Sequence, residues 1–353
     1  MKILWLSHLI PFPPKGGVLQ RSYNMIRELA KVHDITLVAF NQKSFLENSL
    51  PDHQYPVETA RRELSEIVDF PLVLDIPENT VPMGRYFTAL CALLRGDSYN
   101  MAWLKSRVAS RGLQEILAAE SFDLVHVDTI SLCVYFDLLK DCKVVLNHHN
   151  FESQMIGSRA EVEKSWLKRL YYRVESSRLL KREFEFCQRS DLNLACSEDD
   201  ANSMEKELGV SNFISIPNGV DVSYFYPRED FARVENSIVI VGGLSWYPNR
   251  EAVEYFIRDI WPVIKRAVPD MRVDIIGRNP TSEMQAFARN ELAVSFHGFV
   301  DDVRKYLWRS QFYLCPIRTG GGTKLKILES LATGCGTISA PFSCNVASVK
   351  DGE

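Results

Sequence analysis

Gly320-Gly321-Gly322-Thr323-Lys324-Leu325-Lys326-Ile327-Leu328-Glu329 follows the apolar run Gln311-Phe312-Tyr313-Leu314-Cys315, and this junction decides how the rest of the chain is read. The apolar run predicts a buried strand. Three glycines then permit a tight turn and a close approach of backbone to ligand. A helical period follows, from Thr323 to Thr333. Strand, glycine loop and helix start together make an anion site, because the first backbone N–H groups of a helix lack partners and its dipole is positive there. At about 100° per residue, Thr323, Lys326, Glu329 and Ser330 share one stripe, while Leu325, Ile327, Leu328, Leu331 and Ala332 fill the other side. Structurally, that pattern is a half-buried helix with a Lys326–Glu329 ion pair worth about 0.2–0.5 kcal/mol. Functionally, it places a phosphate at the glycines, a cation beside it, and a carboxylate one turn deeper for sugar hydroxyls. The remainder of the chain chooses between the two.

A chain of 353 residues is too long for one small core, so two domains are expected. With 46% hydrophobic and 24% charged residues and a net charge of −4, the composition is globular and excludes a general nucleic-acid binder. The eight cysteines (91, 133, 142, 187, 196, 315, 335 and 344) contain no C-x-x-C pair. Scattered in this way they predict reduced thiols in a cytoplasmic protein rather than a disulfide frame or a zinc site. The opening Met1-Lys2-Ile3-Leu4-Trp5-Leu6-Ser7-His8 is too short and too broken for a signal peptide and reads as a first buried strand. No stretch approaches the roughly 20 apolar residues of a membrane span. The sequence stops just after a predicted strand that an α/β domain normally covers with a helix, so its C-terminus reads as truncated.

From the N-terminus, residues 2–7 predict a strand, 11–17 a loop, 18–31 a helix and 34–40 a second strand. This order predicts a parallel sheet with helices on its faces. The first turn lacks G-x-G-x-x-G, so no dinucleotide is indicated. Gly16-Gly17 nevertheless stands where such sheets bind ligands. Further strands are expected at 71–76, 122–127 and 143–148, and helices at 84–94 and 103–119. The strand at 143–148 runs into His148-His149-Asn150-Phe151-Glu152. Neighbouring side chains on a strand point to opposite faces, so one histidine faces the cleft, and His149, nearer the carboxyl end, is the choice. A structural hydrogen-bonding role is the plain alternative. The long helix expected at 163–189 has eight basic and three acidic residues from Lys164 to Arg189. It reads as a solvated amphipathic helix or as a peripheral contact with an anionic membrane through 164–189. Strands at 191–196 and 213–216 close the first domain, 1–222. Residues 223–236 are read as a linker. A second α/β cycle fills 237–353, with strands at 237–241, 272–276, 294–297, 311–315 and 336–340 and helices from Pro248 to about Ala267, at 301–309 and at 323–333. The expected fold class is α/β, with two doubly wound parallel-sheet domains facing each other.

The motifs, in order, are Gly16-Gly17, His149, Ile216-Pro217-Asn218-Gly219-Val220-Asp221, Val241-Gly242-Gly243, Ile276-Gly277, Phe296-His297-Gly298-Phe299-Val300 and Gly320–Glu329. Their array resembles the retaining glycosyltransferases of the GT-B fold, specifically the family 4 group that builds bacterial envelope glycans. The resemblance implies a C-terminal domain that binds a nucleotide-sugar and an N-terminal domain that holds a glycan or lipid-linked acceptor. It gives Glu329 the ribose hydroxyls and gives Gly321, Gly322 and Thr323 the sugar and diphosphate. It sets Phe299 and Val300 near the base, Gly16 and Gly17 against the diphosphate, and His149 on the donor sugar beside its reacting carbon. Where the family carries a phosphate-binding Arg, this chain has Gly243, and where it often carries a second Glu, the chain has Gly321. The resemblance therefore shifts the phosphate's charge to another cation, first Lys326, then Lys324, Arg250, Arg278 and Arg318. No D-x-D occurs, so neither a metal nor another cofactor is expected. A nucleotide-sugar 2-epimerase and a non-catalytic sugar-nucleotide-binding protein are the competing readings.

Overall fold

The computed structural model describes residues 1–51, 53–320, 323–344 and 352, and the chain divides into two compact units, Met1–Pro217 and Asn218–Glu353. In the first unit the strands are β1 (Lys2–Ser7), β2 (Asp34–Asn41), β3 (Asp69–Asp75), β4 (Leu124–Val127), β5 (Val144–Asn147), β6 (Leu192–Ala195) and β7 (Phe213–Ser215). The helices are α1 (Gly17–Leu29), α2 (Lys43–Ser49), α3 (Pro56–Ser65), α4 (Gly84–Leu94), α5 (Tyr99–Ala102), α6 (Arg107–Ala119), α7 (Glu152–Val162), α8 (Trp166–Arg189) and α9 (Glu198–Leu208). All strand pairs are parallel, in the order β3-β2-β1-β4-β5-β6-β7. The direction of winding reverses between β1 and β4, the point at which open α/β sheets leave room for a ligand at their carboxyl edge.

Ile3, Leu4, Trp5 and Leu6 are all buried, as a strand covered on both faces requires. Alternate residues enter different cores. Leu4, Leu6, Val38 and Val125 pack with Leu113, Leu179, Phe186 and Met204, while Ile3, Trp5, Ile35 and Leu37 pack with Ile26, Leu46 and Leu64. The sheet is thus sandwiched between α6, α8 and α9 on one side and α1, α2 and α3 on the other.

The second unit repeats the plan with β8 (Val234–Val241), β9 (Arg272–Ile276), β10 (Val294–Gly298), β11 (Ser310–Cys315) and β12 (Gly336–Ser339). Its helices are α10 (Tyr247–Tyr255), α11 (Trp261–Ala267), α12 (Ser282–Asn290), α13 (Arg304–Arg309) and α14 (Leu325–Ala332). The parallel order β10-β9-β8-β11-β12 has the same reversal, here between β8 and β11.

Residues 223–236, read from sequence as a linker, are docked on the second unit, and the division falls earlier, after Pro217. Phe225 is buried, the Trp308 indole donates to the Tyr226 carbonyl at 2.7 Å, and the Arg304 guanidinium lies 3.7 Å from the Tyr224 ring centroid. Aromatic side chains supply burial without any helical or strand period, which is why the stretch looks like a connector in sequence. Helices α2, α3, α5, α7 and α12 lie in stretches for which no helix was expected. The helix expected at 103–119 starts later, at Arg107, where the Ser106 hydroxyl accepts from the Ala109 N–H.

Candidate functional site

In the first unit the reversal point gathers polar groups from four elements. Asp128 directly follows β4, Ser7 and His8 end β1, Asn147 and His149 end β5, and Arg21 and Ser22 lie in the first turns of α1. Asp128 has no exposed surface, and Ser22 Oγ donates to its Oδ2 at 2.5 Å while Asn147 Nδ2 donates to Oδ1 at 2.8 Å. His149 Nε2 lies 3.2 Å from the same Oδ1 and 3.1 Å from the Asp128 carbonyl. Both partners are acceptors, so Nε2 carries a proton. Arg21, also buried, donates to Asn147 Oδ1 at 3.0 Å through Nη2 and to the Ile216 carbonyl at 2.7 Å through Nη1. Arg21 and Asp128 therefore share one relay through Asn147.

Burial alone would raise the Asp128 carboxyl, but His149 and the neighbouring His126 outweigh it and hold the group well below the usual carboxylate range. His8 moves the other way. Burial, then repulsion from His149, lowers it to about 4, so it is neutral at neutral pH. His126 stacks on Trp5 with ring centroids 3.6 Å apart and is likewise lowered by burial. His148 points away from this group. Its ring lies 3.2 Å from Asn193 Oδ1 and 5.7 Å from the Phe213 ring, and burial lowers it to about 4. The two adjacent histidines thus serve opposite faces, His149 with Asp128 and His148 in the core.

His8, Asp128 and His149 each offer one metal-ligand atom, all within 4.8 Å of one another. The Asp128 carboxylate already accepts bonds from Ser22 and Asn147, whereas the buried His8 Nδ1 has no hydrogen-bond partner.

In the second unit the sequence-predicted residues line the carboxyl edge of the sheet: Gly243 after β8, Arg278 after β9, Phe299 and Val300 after β10, and Thr323, Lys324, Lys326 and Glu329 at the start of α14. Gly321 and Gly322 lie outside the described residues. The glycines do different jobs. A Cβ on Gly277 would stand 2.0 Å from the Gly242 carbonyl, and one on Gly242 would stand 2.7 Å from Asn249 Cγ. Gly277 lets the ends of β8 and β9 touch, and Gly242 lets Asn249 of α10 close on the end of β8. Gly243, by contrast, faces open space. Gly320 has φ +99, and a Cβ there would meet Pro248 Cγ at 2.9 Å, so Gly320 is pressed against the start of α10.

Lys326 Nζ reaches both Glu329 oxygens, at 2.8 and 3.1 Å. The polar stripe read from the helical phase does not face solvent: Glu329 and Ser330 are buried at 1% and 0% exposure, whereas Leu331 is exposed. Ser330 turns inward because its hydroxyl pairs with Thr337 Oγ1 at 2.7 Å, on β12. Arg278 sits 3.9 Å from the Phe299 ring centroid, and Lys324 lies 5.5 Å from that of Phe342. Arg318 is paired with Glu251 and stacked on Tyr255. In the first unit, Gly16 (φ +111) and Gly17 form the entry to α1.

Sequence reading singled out His149 but missed Ser7, His8, Arg21, Ser22, Asp128 and Asn147. The signal was present for four of them: Ser7, His8, Asp128 and Asn147 end or directly follow β1, β4 and β5, the same strand-end rule that selected His149. Arg21 and Ser22 carry no such mark, because they sit inside an amphipathic helix.

Residues 15–224 match the family model described as Glycosyltransferase Family 4, and residues 235–353 match that described as Glycosyl transferases group 1. An uncharacterized 44.6 kDa protein in the cps region of Klebsiella pneumoniae is 20% identical over 282 residues, 76% of this chain and 70% of that one. Among solved structures, Anabaena HepE in complex with UDP and glucose aligns over 97% of this chain and 81% of its own, at 13% identity and a TM-score of 0.60. A variant of TarM from S. aureus, in complex with UDP, α-GlcNAc-glycerol and fondaparinux, aligns over 96% and 85%, at 10% identity and a TM-score of 0.60. A glycosyltransferase from Rickettsia africae aligns over 97% and 80%, at 10% identity and a TM-score of 0.58. At these identities the likeness is one of fold, and that fold is GT-B.

Proposed function

The chain belongs to glycosyltransferase family 4, and from that premise we propose a retaining, metal-independent transferase that moves a sugar from a nucleotide-sugar to a glycan or lipid-linked acceptor in envelope polysaccharide synthesis. The observation that carries this reading is Glu329, a buried carboxylate with Lys326 as its partner, set directly behind the glycine loop of the second unit. Here Glu329 takes the ribose hydroxyls, the Arg278–Phe299 stack and Val300 meet the base, and Gly321, Gly322, Thr323 and Lys324 receive the sugar and diphosphate. The Lys326–Glu329 pair opens as the ligand enters, since one ammonium does not serve carboxylate and phosphate equally.

The anomeric C–O bond breaks with its electron pair leaving on the nucleoside diphosphate, and the sugar gains oxocarbenium character. Backbone N–H groups and Lys326 stabilise the charge that develops on the leaving phosphate. The acceptor hydroxyl bonds to the anomeric carbon from the face the phosphate leaves, and its proton passes to a phosphate oxygen, so configuration is retained. His149, held by Asp128, hydrogen-bonds the donor sugar near that carbon, and Gly16 and Gly17 approach the diphosphate.

The UDP held by HepE supports a uridine nucleotide as the first donor to try, and the cps-region relative supports an envelope polysaccharide as the product. A lipid-linked acceptor places the protein at the cytoplasmic membrane face, with 164–189 as the expected contact. Incubation with a panel of nucleotide-sugars, with and without EDTA, tests the reading. Slow release of nucleoside diphosphate that ignores EDTA is expected. A free epimer, binding without turnover, or loss of activity in EDTA overturns it.

A further inference from the structure

Helix α4 presents its large apolar residues to solvent. Tyr86, Phe87, Leu90, Leu93 and Leu94 are all exposed, Phe87 at 68% and Leu94 at 77%, and so are Val81 and Met83 just before the helix. Its small residues face inward instead: Gly84 and Ala92 are buried. A Cβ on Gly84 would stand 2.1 Å from the Glu78 carbonyl, so this side of the helix is pressed against the turn Pro77–Thr80. Residues 86, 87, 90, 93 and 94 share one stripe at helical spacing. In a globular helix that stripe packs on the core, and an uncovered stripe of this size marks an interaction surface.

Helix α4 meets α8 at its C-terminal end. Arg178 of α8 donates to the Leu93 and Asp97 carbonyls at 3.1 and 3.2 Å, and Arg85 covers the Tyr99 ring near Tyr171 of α8. Just before Tyr171, α8 exposes Trp166 at 70%, together with Leu167 and Leu170. Lys164, Lys168 and Arg173 are exposed among them, and Arg85 and Arg95 bracket α4. Two of the three acidic residues in 164–189, Glu175 and Glu183, are buried, so the solvent face of α8 is more basic than its composition implies.

We propose that the α4 stripe, with the first turns of α8, inserts into the interfacial region of an anionic bilayer while the surrounding lysines and arginines hold lipid phosphates. Helix α8 supplies the charge and α4 the apolar area. The charge decides against a second copy of this chain. In a two-fold contact on this face the basic residues of one protomer would confront the same residues of the other, whereas an anionic surface complements them. The inference deepens the membrane contact proposed above for 164–189, and its evidence is surface chemistry, not catalytic activity.

Flotation of the full chain with vesicles tests it, using phosphatidylcholine alone and phosphatidylcholine mixed with phosphatidylglycerol. The protein is expected to float with the anionic vesicles only, and less as salt rises. The combined Phe87→Ser, Leu90→Ser and Leu94→Ser variant, and the combined Lys164→Glu, Lys168→Glu and Arg173→Glu variant, should each weaken partitioning by about tenfold or more. Leu94→Gln alone, at the most exposed position of the stripe, keeps the test open if the triple variant melts early, and should weaken it measurably. No flotation with anionic vesicles, or flotation indifferent to both α4 variants, overturns the proposal. So does a lipid-free dimer, seen by sedimentation, that Leu94→Gln dissociates. No donor is present, so a failed transferase assay leaves this result untouched.

Discussion

Asp128 accepts bonds from Ser22, Asn147 and His149 with no exposed surface of its own. Such a carboxylate is tolerated in the core only because its donors replace water. Asp128→Asn keeps the volume but places an amide N–H₂ or a weaker acceptor against donors that need a carboxylate. A loss of about 3 kcal/mol of unfolding free energy is expected in urea titrations, the scale of breaking a buried charge network. A loss under about 1 kcal/mol would make the cluster incidental. In the second unit, Glu329→Gln preserves shape and removes the charge that pairs with Lys326. Donor turnover should fall at least about tenfold, roughly 1.4 kcal/mol in transition-state binding, with Lys326→Ala falling alike. Unchanged steady-state kinetics in both variants would sink the assignment of the donor site. Chemistry at single residues was only partly legible in the sequence. His149 and Glu329 sit at ends that the strand and helix periods reveal. Asp128 and Arg21 matter through each other, and a relay through Asn147 links positions far apart in the chain.

Elements were more legible than their orientation. The bounds of β1, α4 and β9 follow directly from apolar runs and periods, yet the same period in α4 and α14 left open which face turns inward. Periodicity reports a stripe, not what covers it. In α14 the buried face includes Glu329 and Ser330, and in α4 the apolar face is the exposed one. Helix α7 was missed because Glu152–Val162 is polar and short, and it forms by packing on α8. Between them lies Glu183, with no exposed surface, one oxygen accepting from the Ser153 N–H at 3.2 Å and the other without a hydrogen-bond partner. Burial pushes its carboxyl up to about 8. Folded Glu183 therefore holds a proton that the unfolded chain has released above its ordinary value of 4.5. Its contribution to stability is full below that value and is lost as pH rises through about 8. Chemical denaturation from pH 5 to 8 should show wild type losing stability relative to Glu183→Gln by up to about 1.4 kcal/mol per pH unit. His148, lowered to about 4, has the opposite slope but is common to both proteins and cancels in the difference. Parallel curves for the two proteins would show that Glu183 is charged in the folded state.

The whole molecule repeats one winding rule, and that repetition made the fold readable: strand order 3-2-1-4-5 occurs in both sheets, extended by two strands in the first. What the sequence hid was where one unit stops, because an aperiodic aromatic segment looks the same whether it is docked or loose. Each unit has its own cores. The clusters around Leu4 and Trp5 use residues before Pro217 only, and those around Ile240 and Tyr313 use residues after it only. A core that draws nothing from the other unit folds without it. Separate chains 1–217 and 218–353 are therefore each expected to melt cooperatively by calorimetry, whereas a cut at 236 would strip Phe225, Tyr226 and the Arg228–Trp308 stack from the second unit and lower its melting temperature. Because Glu329, Arg278 and Gly243 all lie after Pro217, titration calorimetry should find nucleoside diphosphate binding in 218–353 and none in 1–217. Heat of binding in 1–217 alone would move the donor to the His149–Asp128 cluster and reverse the roles of the two units.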